Sequence, residues 1–184
     1  MATTAAPLEL GVIAPDFVLP GTDGRTWRRD EVAGTNGLVV MFICNHCPYV
    51  QAVVDRIVRE ARALRELGIC SVAISSNDAG AYPEDSFEHM SGFARRHGFD
   101  FPYLYDESQA VARAYRAACT PEFFGFDRTL KLAYHGRLDA SGRQPAGPGS
   151  RRELFEAMQQ LVQTGWAPAE QVPSIGCSIK WKSA

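Results

Sequence analysis

The chain has 184 residues, a length typical of one domain. Apolar residues make up 46% of the sequence and charged residues 22%, and the formal net charge is −2. These values are ordinary for a globular protein, and they argue against a strongly basic nucleic-acid or anionic-membrane binder and against a disordered acidic protein.

The first half of the chain predicts a hairpin followed by a strand–helix–strand unit. The run LVVMFIC is apolar on both faces, as in a buried central strand. Apolar residues then recur at three- and four-residue steps, as in an amphipathic helix, and so long a crossover favours parallel strands. The predicted elements are a loose tail over 1–10, hairpin strands at 15–20 and 25–28, a buried strand at 38–44, a helix at 48–67 and a second buried strand at 69–75.

The second half predicts shorter elements separated by polar segments. Gly98 is the expected C-cap of one helix, and Ser150 is the expected N-cap of the last helix. The predicted elements are a polar loop at 77–85, a helix at 86–97, a strand at 103–105, a helix at 107–117, hairpin strands at 122–127 and 130–135, a loop at 136–150, a helix at 151–163 and a tail over 164–184.

The N-terminal region lacks the features of a secretory signal, since its first basic residue is Arg25 and it has no apolar core segment. The apolar run at 38–44 is far shorter than the ~20 residues that span a bilayer. We therefore expect one cytoplasmic domain over residues 1–184, in a compartment where structural disulfides are rare. The five cysteines then point to catalysis, metal binding or core packing.

The motif Cys44-Asn45-His46-Cys47 lies where the predicted central strand ends and the long helix begins. Two cysteines at this spacing can close a disulfide across one helical turn, and the free N–H groups of the helix favour a thiolate at the first sulfur. A positive charge on His46 acts in the same direction. Zinc sites usually have a second ligand pair, which this sequence lacks. We predict redox chemistry, with half of a zinc site or a coincidental motif as alternatives.

A second signal is Thr120-Pro121, directly before a predicted strand. Proline at the first residue of a strand carries little information alone. Combined with the CxxC motif it favours a rigid loop that faces the disulfide, and a cis X–Pro bond supplies such a loop.

These residues resemble the thioredoxin superfamily. The APDF and DG strings near the N-terminus and the long segment 77–102 resemble its peroxiredoxin-like (AhpC/TSA-type) branch. The strings FICNHCPYV, CTPEFFGFD and GCSIKWK resemble a subgroup that keeps CxxC. The resemblance implies an α/β thioredoxin fold, a three-layer α/β/α arrangement with an N-terminal β-hairpin and a peroxiredoxin-like insertion. It also implies that Thr120-Pro121 is cis and lies against the active site.

The resemblance further implies a division of labour between the two cysteines. Cys44, exposed at the helix start, attacks a substrate disulfide, and Cys47 resolves the mixed disulfide. The function expected from this is a thiol–disulfide oxidoreductase in cell redox homeostasis, with His46 tuning the couple and with no organic cofactor. The expected partners are protein or small-molecule disulfides and thiols, neither nucleic acid nor membrane, and a second copy of the chain in a homodimer.

Two alternatives use the same cysteines. In the first, Cys47 is the peroxide-reactive cysteine of an antioxidant thiol peroxidase; the peroxiredoxin pattern PxxxTxxC is then broken, because Val40 and Cys44 replace its Pro and Thr. In the second, Cys44 and Cys47 carry a metal, with Cys177 as a third ligand. Cys177 can also be a resolving thiol or pack in the tail, and Cys119 is either a buried small residue or a third redox thiol.

Overall fold

Residues 2–183 are described by a computed structural model, and most of the predicted elements recur in it. The strands are β1 Ala2–Thr4, β2 Val18–Pro20, β3 Thr26–Arg28, β4 Gly37–Phe42, β5 Ile69–Ser75, β6 Tyr103–Tyr105, β7 Cys119–Thr120, β8 Glu122–Asp127, β9 Leu132–Gly136 and β10 Ile175–Ser178. The helices are α1 Arg29–Val32, α2 Pro48–Gln51, α3 Val54–Glu66, α4 Phe87–His97, α5 Ala110–Tyr115 and α6 Glu153–Thr164, with a 3₁₀ turn at Pro83–Asp85. Across these residues, no helix combines the length and apolar character needed to cross a membrane.

The central sheet has the strand order β6–β5–β4–β8–β9. Strand β8 is antiparallel to both β4 and β9, whereas β5 is parallel to β6. Strands β4 and β5 are parallel, as predicted, because their flanking backbone bonds advance together: Asn36 N–H donates to Gly68 O at 2.9 Å and Ile43 N–H donates to Ile74 O at 3.0 Å. Strand β4 is thus the middle strand, and its C-terminal end leads into the CxxC motif.

Helices cover both faces of this sheet. Helices α2, α3, α4 and α6 pack on one face, and α1, α5 and the β2–β3 hairpin pack on the other. Strand β4 supplies alternate side chains to the two cores, Val39 and Met41 to the first and Leu38, Val40 and Phe42 to the second. Burying an aliphatic or Phe side chain fully contributes ~1.5–3 kcal/mol, which explains why this strand is apolar on both faces.

The helix predicted over residues 48–67 is divided into α2 and α3. At the division, the Val53 N–H donates to the carbonyl of Val50 at 3.0 Å, a three-residue step that winds the chain more tightly than an α-helix. Val50, Val53 and Val54 are all buried on the same side. Sequence spacing misses the interruption, because these valines face the core with or without it.

The chain ends contain strands where the sequence predicted loose tails. Within residues 1–10, β1 pairs antiparallel with β10, and within residues 164–184, β10 also pairs with β7. The prediction of unstructured tails is wrong for these strands. Gly176 allows the close pairing, because a Cβ at this position would lie 2.0 Å from the Thr120 carbonyl oxygen. The terminal residues Met1 and Ala184 lie outside the described residues.

Helix α4 has the predicted C-cap, Gly98, whereas α5 and α6 begin later than predicted. Ser86 caps the N-terminus of α4, and Gly98 ends it with a φ of 64°. Helix α5 begins at Ala110, behind the Asp106 carboxylate, which accepts the N–H of Ala112 at 2.9 Å. The N-cap of α6 is Arg152 rather than Ser150, because the Glu156 carboxylate accepts the Arg152 N–H at 2.8 Å.

Candidate active site

The CxxC motif spans the step from β4 to α2. Cys44 follows the end of the strand, and Cys47 is the N-cap of α2, with Pro48 at the first helical position. Both thiols are free, and both cysteines are 0% exposed. The prediction that Cys44 is exposed is therefore wrong. The loop at Thr120 and the turn that ends at Asp85 both pack against the motif and close it off from solvent.

Thr120 connects the motif to β7. Its hydroxyl lies 3.4 Å from Cys44 Sγ, and its carbonyl oxygen accepts the S–H of Cys47 at 3.2 Å. The Thr120-Pro121 peptide bond is cis, as the resemblance implied. The carbonyl contact needs a protonated Cys47, so ionisation of Cys47 breaks this one hydrogen bond while its other contacts remain.

The two thiols differ in pKa. The hydrogen bond from Cys44 lowers the pKa of Cys47 to about 4 against the opposing effect of burial, and the N–H of Val50 also lowers it. The pKa of Cys44 is raised well above its ordinary value by its hydrogen bond to Cys47, by burial and by the negative charge of Asp85. Because α2 begins directly after Cys47, the N-terminus of the helix lies nearer to Cys47 than to Cys44. The sequence analysis assigned the lowered pKa to Cys44, whereas the directions of these shifts make Cys47 the more acidic of the two thiols.

Asp85 organises the loop between the two cysteines, and the sequence analysis missed it. Its carboxylate accepts the backbone N–H of Asn45 at 2.7 Å and of His46 at 3.2 Å, and the side-chain N–H of Asn77 at 2.7 Å. The His46 ring lies 2.5 Å from the same carboxylate through Nδ1, and it stacks on Tyr82 with ring centroids 5.4 Å apart. A charge on His46 is therefore offset by a buried carboxylate, which weakens its predicted effect on the thiols.

The structure groups a different set of metal-ligating atoms from the set that the sequence suggested. Within residues 2–183, Cys44, His46 and Asp85 offer ligand atoms within 4.8 Å of one another. The Asp85 carboxylate is already used by the backbone and side-chain donors of Asn45, His46 and Asn77, which leaves little capacity for a cation. Asp85 therefore acts in this structure as the acceptor that holds the loop between the two cysteines.

Glu122, beside the cis proline, forms a second buried polar group. Glu122 is 0% exposed. One of its oxygens lies 2.7 Å from His135 Nε2, and the other accepts the N–H of Ala118 at 2.8 Å and of Cys119 at 3.0 Å. Cys119 is buried, as in the first of its two predicted readings, and burial followed by the charge of Glu122 raises the pKa of its thiol. Glu122 thus holds the β7–β8 turn in position.

Cys177 joins the site through β10. It stands directly opposite Thr120 in the strand register, and its side chain packs against the core that contains both cysteines of the motif. Unlike them, it is only partly buried. Burial and a hydrogen bond to Cys47 raise the pKa of the Cys177 thiol to about 11. The sequence left the place of this residue open, because nothing in its spacing shows which element β10 joins.

A cavity of about 300 Å³ opens beside the motif. Its walls include Tyr49 of α2, Pro121 of the cis peptide and Ile175 of β10, and Arg137 and Arg143 lie at the same cavity. The Arg143 guanidinium stacks on the Tyr49 ring at 4.7 Å. The cavity thus has apolar walls and basic groups, next to the residues that surround the thiols.

The sequence model of the AhpC/TSA family matches residues 10–135. This range contains the CxxC motif, Thr120 and Pro121, and it ends before β10. A comparison with curated proteins gave no match.

Two solved structures are similar to this chain over nearly its whole length. A structure described as an uncharacterized conserved protein from Geobacillus kaustophilus is 46% identical, with a TM-score of 0.94 and coverage of 100% of this chain and 98% of that chain. A hypothetical protein from Sinorhizobium meliloti 1021 is 39% identical, with a TM-score of 0.90 and coverage of 99% of this chain and 100% of that chain.

A more distant structure supports the fold alone. The thioredoxin domain of a thiol-disulfide oxidoreductase from Bacteroides vulgatus has a TM-score of 0.65 at 13% identity, over 85% of this chain and 99% of that chain. Together with the central sheet and its two helical layers, this likeness confirms the predicted thioredoxin fold.

Proposed function

Because the chain belongs to the AhpC/TSA family, we propose that it is a thiol–disulfide oxidoreductase in which Cys44 and Cys47 form the redox couple. Family membership and the thioredoxin fold support thiol redox chemistry in general. The observation that carries the finer assignment is the placement of both thiols against Thr120 at the N-terminus of α2, where the pKa of Cys47 is lowered and that of Cys44 is raised. Such a pair can deliver two electrons and close a disulfide across one turn.

In this proposal Cys47 supplies the attacking thiolate, the reverse of the order that the resemblance implied. The Cys47 sulfur bonds to one sulfur of a substrate disulfide, the substrate S–S bond breaks, and the leaving sulfur takes a proton from water. Cys44 then loses its proton and attacks the Cys47 sulfur, which forms the Cys44–Cys47 disulfide and releases the second substrate thiol. Two electrons pass from the protein to the substrate.

The second step becomes easier once the first has occurred. The largest cause of the raised Cys44 pKa is its hydrogen bond to Cys47. When Cys47 is bonded to the substrate it no longer carries a negative charge, so this hydrogen bond weakens and Cys44 ionises more readily. Asp85 and His46 lie within 4.8 Å of Cys44 and are the groups positioned to accept its proton.

We further propose that the substrates and reductants are disulfides and thiols of small molecules or proteins, that the chain acts as one domain, and that it works in the cytoplasm. The reducing surroundings of that compartment suit a free dithiol, because stable structural disulfides are rare there. The free state of all the described cysteines is compatible with this setting.

Replacing Cys44 with serine tests the proposed couple. When the reduced protein is mixed with excess bis(2-hydroxyethyl) disulfide, we expect the wild type to release one equivalent of 2-mercaptoethanol and then a second. In Cys44→Ser the first equivalent should be unaffected, whereas the second should be released at least ~10-fold more slowly, because the normal resolving thiol is absent.

The matched control is Cys70→Ser, which removes a partly buried thiol of β5 away from the motif and should leave both phases unchanged. Release of both equivalents by Cys44→Ser at the wild-type rate would exclude Cys44 as the resolving partner.

A thiol peroxidase is the second candidate function, favoured by one observation. Cys47, the position that matches the peroxiredoxin nucleophile, is the thiol whose pKa is lowered to about 4. Its thiolate could attack a peroxide oxygen, break the O–O bond and form a sulfenic acid with release of water or alcohol. Cys44 would then displace hydroxide from the Cys47 sulfur to close the disulfide. Cys44 stands where peroxiredoxins have a Thr, and its thiol is a weaker hydrogen-bond donor to the peroxide than a Thr hydroxyl. We therefore rank this function second.

A further inference from the structure

The redox couple is buried, so access to its sulfurs limits the rate at which another molecule exchanges electrons with it. Cys44 and Cys47 are both 0% exposed, and thiol–disulfide exchange requires direct contact between the incoming sulfur and the sulfur under attack. A third thiol that touches the couple and also faces outward would solve this problem.

Cys177 meets both conditions. It is partly exposed, and its side chain packs against the core that contains Cys44 and Cys47. In the β7–β10 register it lies opposite Thr120, whose hydroxyl and carbonyl contact the two sulfurs of the motif. Residues directly opposite each other in an antiparallel pair point to the same face of the sheet, so Cys177 points toward the motif.

Two local features bring β10 this close. Gly176 has no side chain, and a Cβ there would lie 2.0 Å from the Thr120 carbonyl oxygen. The pKa of Cys177 is raised by the neighbouring Cys47 thiol and lowered by the backbone of Tyr49 in the first turn of α2, so β10 lies close to both. The first turn of α2 therefore serves both Cys47 and Cys177.

We propose that Cys177 is the point at which the buried couple exchanges electrons with an external low-molecular-weight thiol, an inference that rests on the proposed Cys44–Cys47 couple. The 300 Å³ cavity favours a small partner over a protein. It is lined by Ile175, two residues before Cys177 in β10, and by Pro121, which follows Thr120. Arg143 adds a positive charge that suits an anionic thiol.

The exchange proceeds in three balanced steps. Cys177 loses its proton to water and attacks the Cys47 sulfur of the Cys44–Cys47 disulfide; the Cys47–Cys177 bond forms, and Cys44 leaves and takes up a proton. An external thiolate then attacks the outward Cys177 sulfur, and Cys47 leaves as a thiolate. A second external thiolate attacks the mixed disulfide at the sulfur that came from the first external thiol, and Cys177 leaves and is protonated. Two external thiols are oxidised to one disulfide, and the protein disulfide is reduced.

The acidity of Cys47 supports the second of these steps. A thiol of low pKa is a good leaving group in exchange, and the pKa of Cys47 is lowered to about 4. Attack of the external thiolate at the Cys177 sulfur expels Cys47. The partly exposed sulfur of the Cys47–Cys177 bond is thus the one whose attack releases the more acidic thiol.

The test compares the reduction of the oxidised wild type and of oxidised Cys177→Ser by glutathione, followed by alkylation and mass spectrometry. We expect Cys177→Ser to be reduced at least ~10-fold more slowly, and Cys70→Ser, which removes the other partly exposed thiol, to match the wild type. Equal rates for wild type and Cys177→Ser would overturn the proposal. Slow reduction of both would also overturn it and point to a protein dithiol as reductant.

A trapping experiment identifies the intermediate. Oxidation of Cys44→Ser with diamide should link Cys47 to Cys177, and addition of glutathione should then leave a glutathione adduct on Cys177. Free Cys47 and Cys177 after oxidation would contradict the proposal. If Cys177→Ser forms the Cys44–Cys47 disulfide but is reduced at the wild-type rate, only this inference fails; if it forms no such disulfide, the proposed function fails with it.

Discussion

Replacing Cys47 with serine is expected to lower the rate of reaction with both small disulfides and hydrogen peroxide at least ~1,000-fold. Serine is close in size to cysteine, so the buried position should still be filled, but its hydroxyl does not ionise near neutral pH and cannot form a disulfide. Cys47 is the thiol whose pKa the fold lowers, and no other cysteine of the motif can supply a thiolate in its place. The measurement is the second-order rate constant of the fully reduced protein with each oxidant.

Cys119→Ser is the matched control, because Cys119 is as fully buried as Cys47 but its pKa is raised. We expect this variant to react within ~2-fold of the wild type. A Cys47→Ser protein that keeps wild-type rates would exclude the assigned site.

The reaction with hydrogen peroxide also separates the two candidate functions. A fast peroxide reaction that survives in Cys44→Ser favours the peroxidase, whereas a rate near that of an ordinary thiol in the wild type favours the oxidoreductase.

The ionisation of Cys47 should be visible well below neutral pH. The ultraviolet thiolate absorbance of the reduced protein is expected to rise with a midpoint at about pH 4, and this transition should be missing in Cys47→Ser. Its cause is the hydrogen bond from Cys44, assisted by the N–H of Val50. A transition near the ordinary thiol pKa of ~8.5 would contradict the assignment.

The same shift makes folding stability depend on pH. The folded pKa of Cys47, about 4, lies below the unfolded value of ~8.5, so the native state binds fewer protons in this window. The stabilisation is fully present above pH ~8.5, and it is lost as the pH falls toward the folded pKa. The unfolding free energy of the reduced wild type minus that of Cys47→Ser should therefore rise with pH, by up to ~1.4 kcal/mol per unit. The corresponding difference for Cys119→Ser should stay flat across this window.

The sequence predicted the elements whose signals lie within a short stretch of the chain. The central strand was recognisable because β4 feeds alternate apolar residues into two cores. The end of helix α4 was recognisable from its C-cap, Gly98. Strand β10 was missed because Ile175–Ser178 is only four residues long and includes a glycine. Its partners lie far away in sequence, so only the folded chain reveals the pairing.

In the candidate site, too, residues with a local sequence signal were predicted, whereas contacts made only in the folded chain were not. Cys44, Cys47, Thr120 and Pro121 were identified from their types and spacing, and the structure brings the two thiols and Thr120 into contact. The start of the helix at Pro48 was also predicted, but the sequence analysis assigned the effect of the helix N-terminus to Cys44, whereas Cys47 is the residue that lies at this terminus. Asp85 carries no recognisable motif, because its role depends on the way the 3₁₀ turn folds back over the loop between the cysteines.

The most direct test of the Cys44–Cys47 couple is a redox titration of the wild-type protein in dithiothreitol buffers, read out by alkylation and peptide mapping. The account predicts a single two-electron transition in which Cys44 and Cys47 become linked. Its midpoint should be more positive than the ~−270 mV of thioredoxin, because the Cys47 thiolate stabilises the reduced form. Separate alkylation of Cys44 and Cys47 at every potential would contradict this account. A final disulfide that excludes Cys44 would also contradict it.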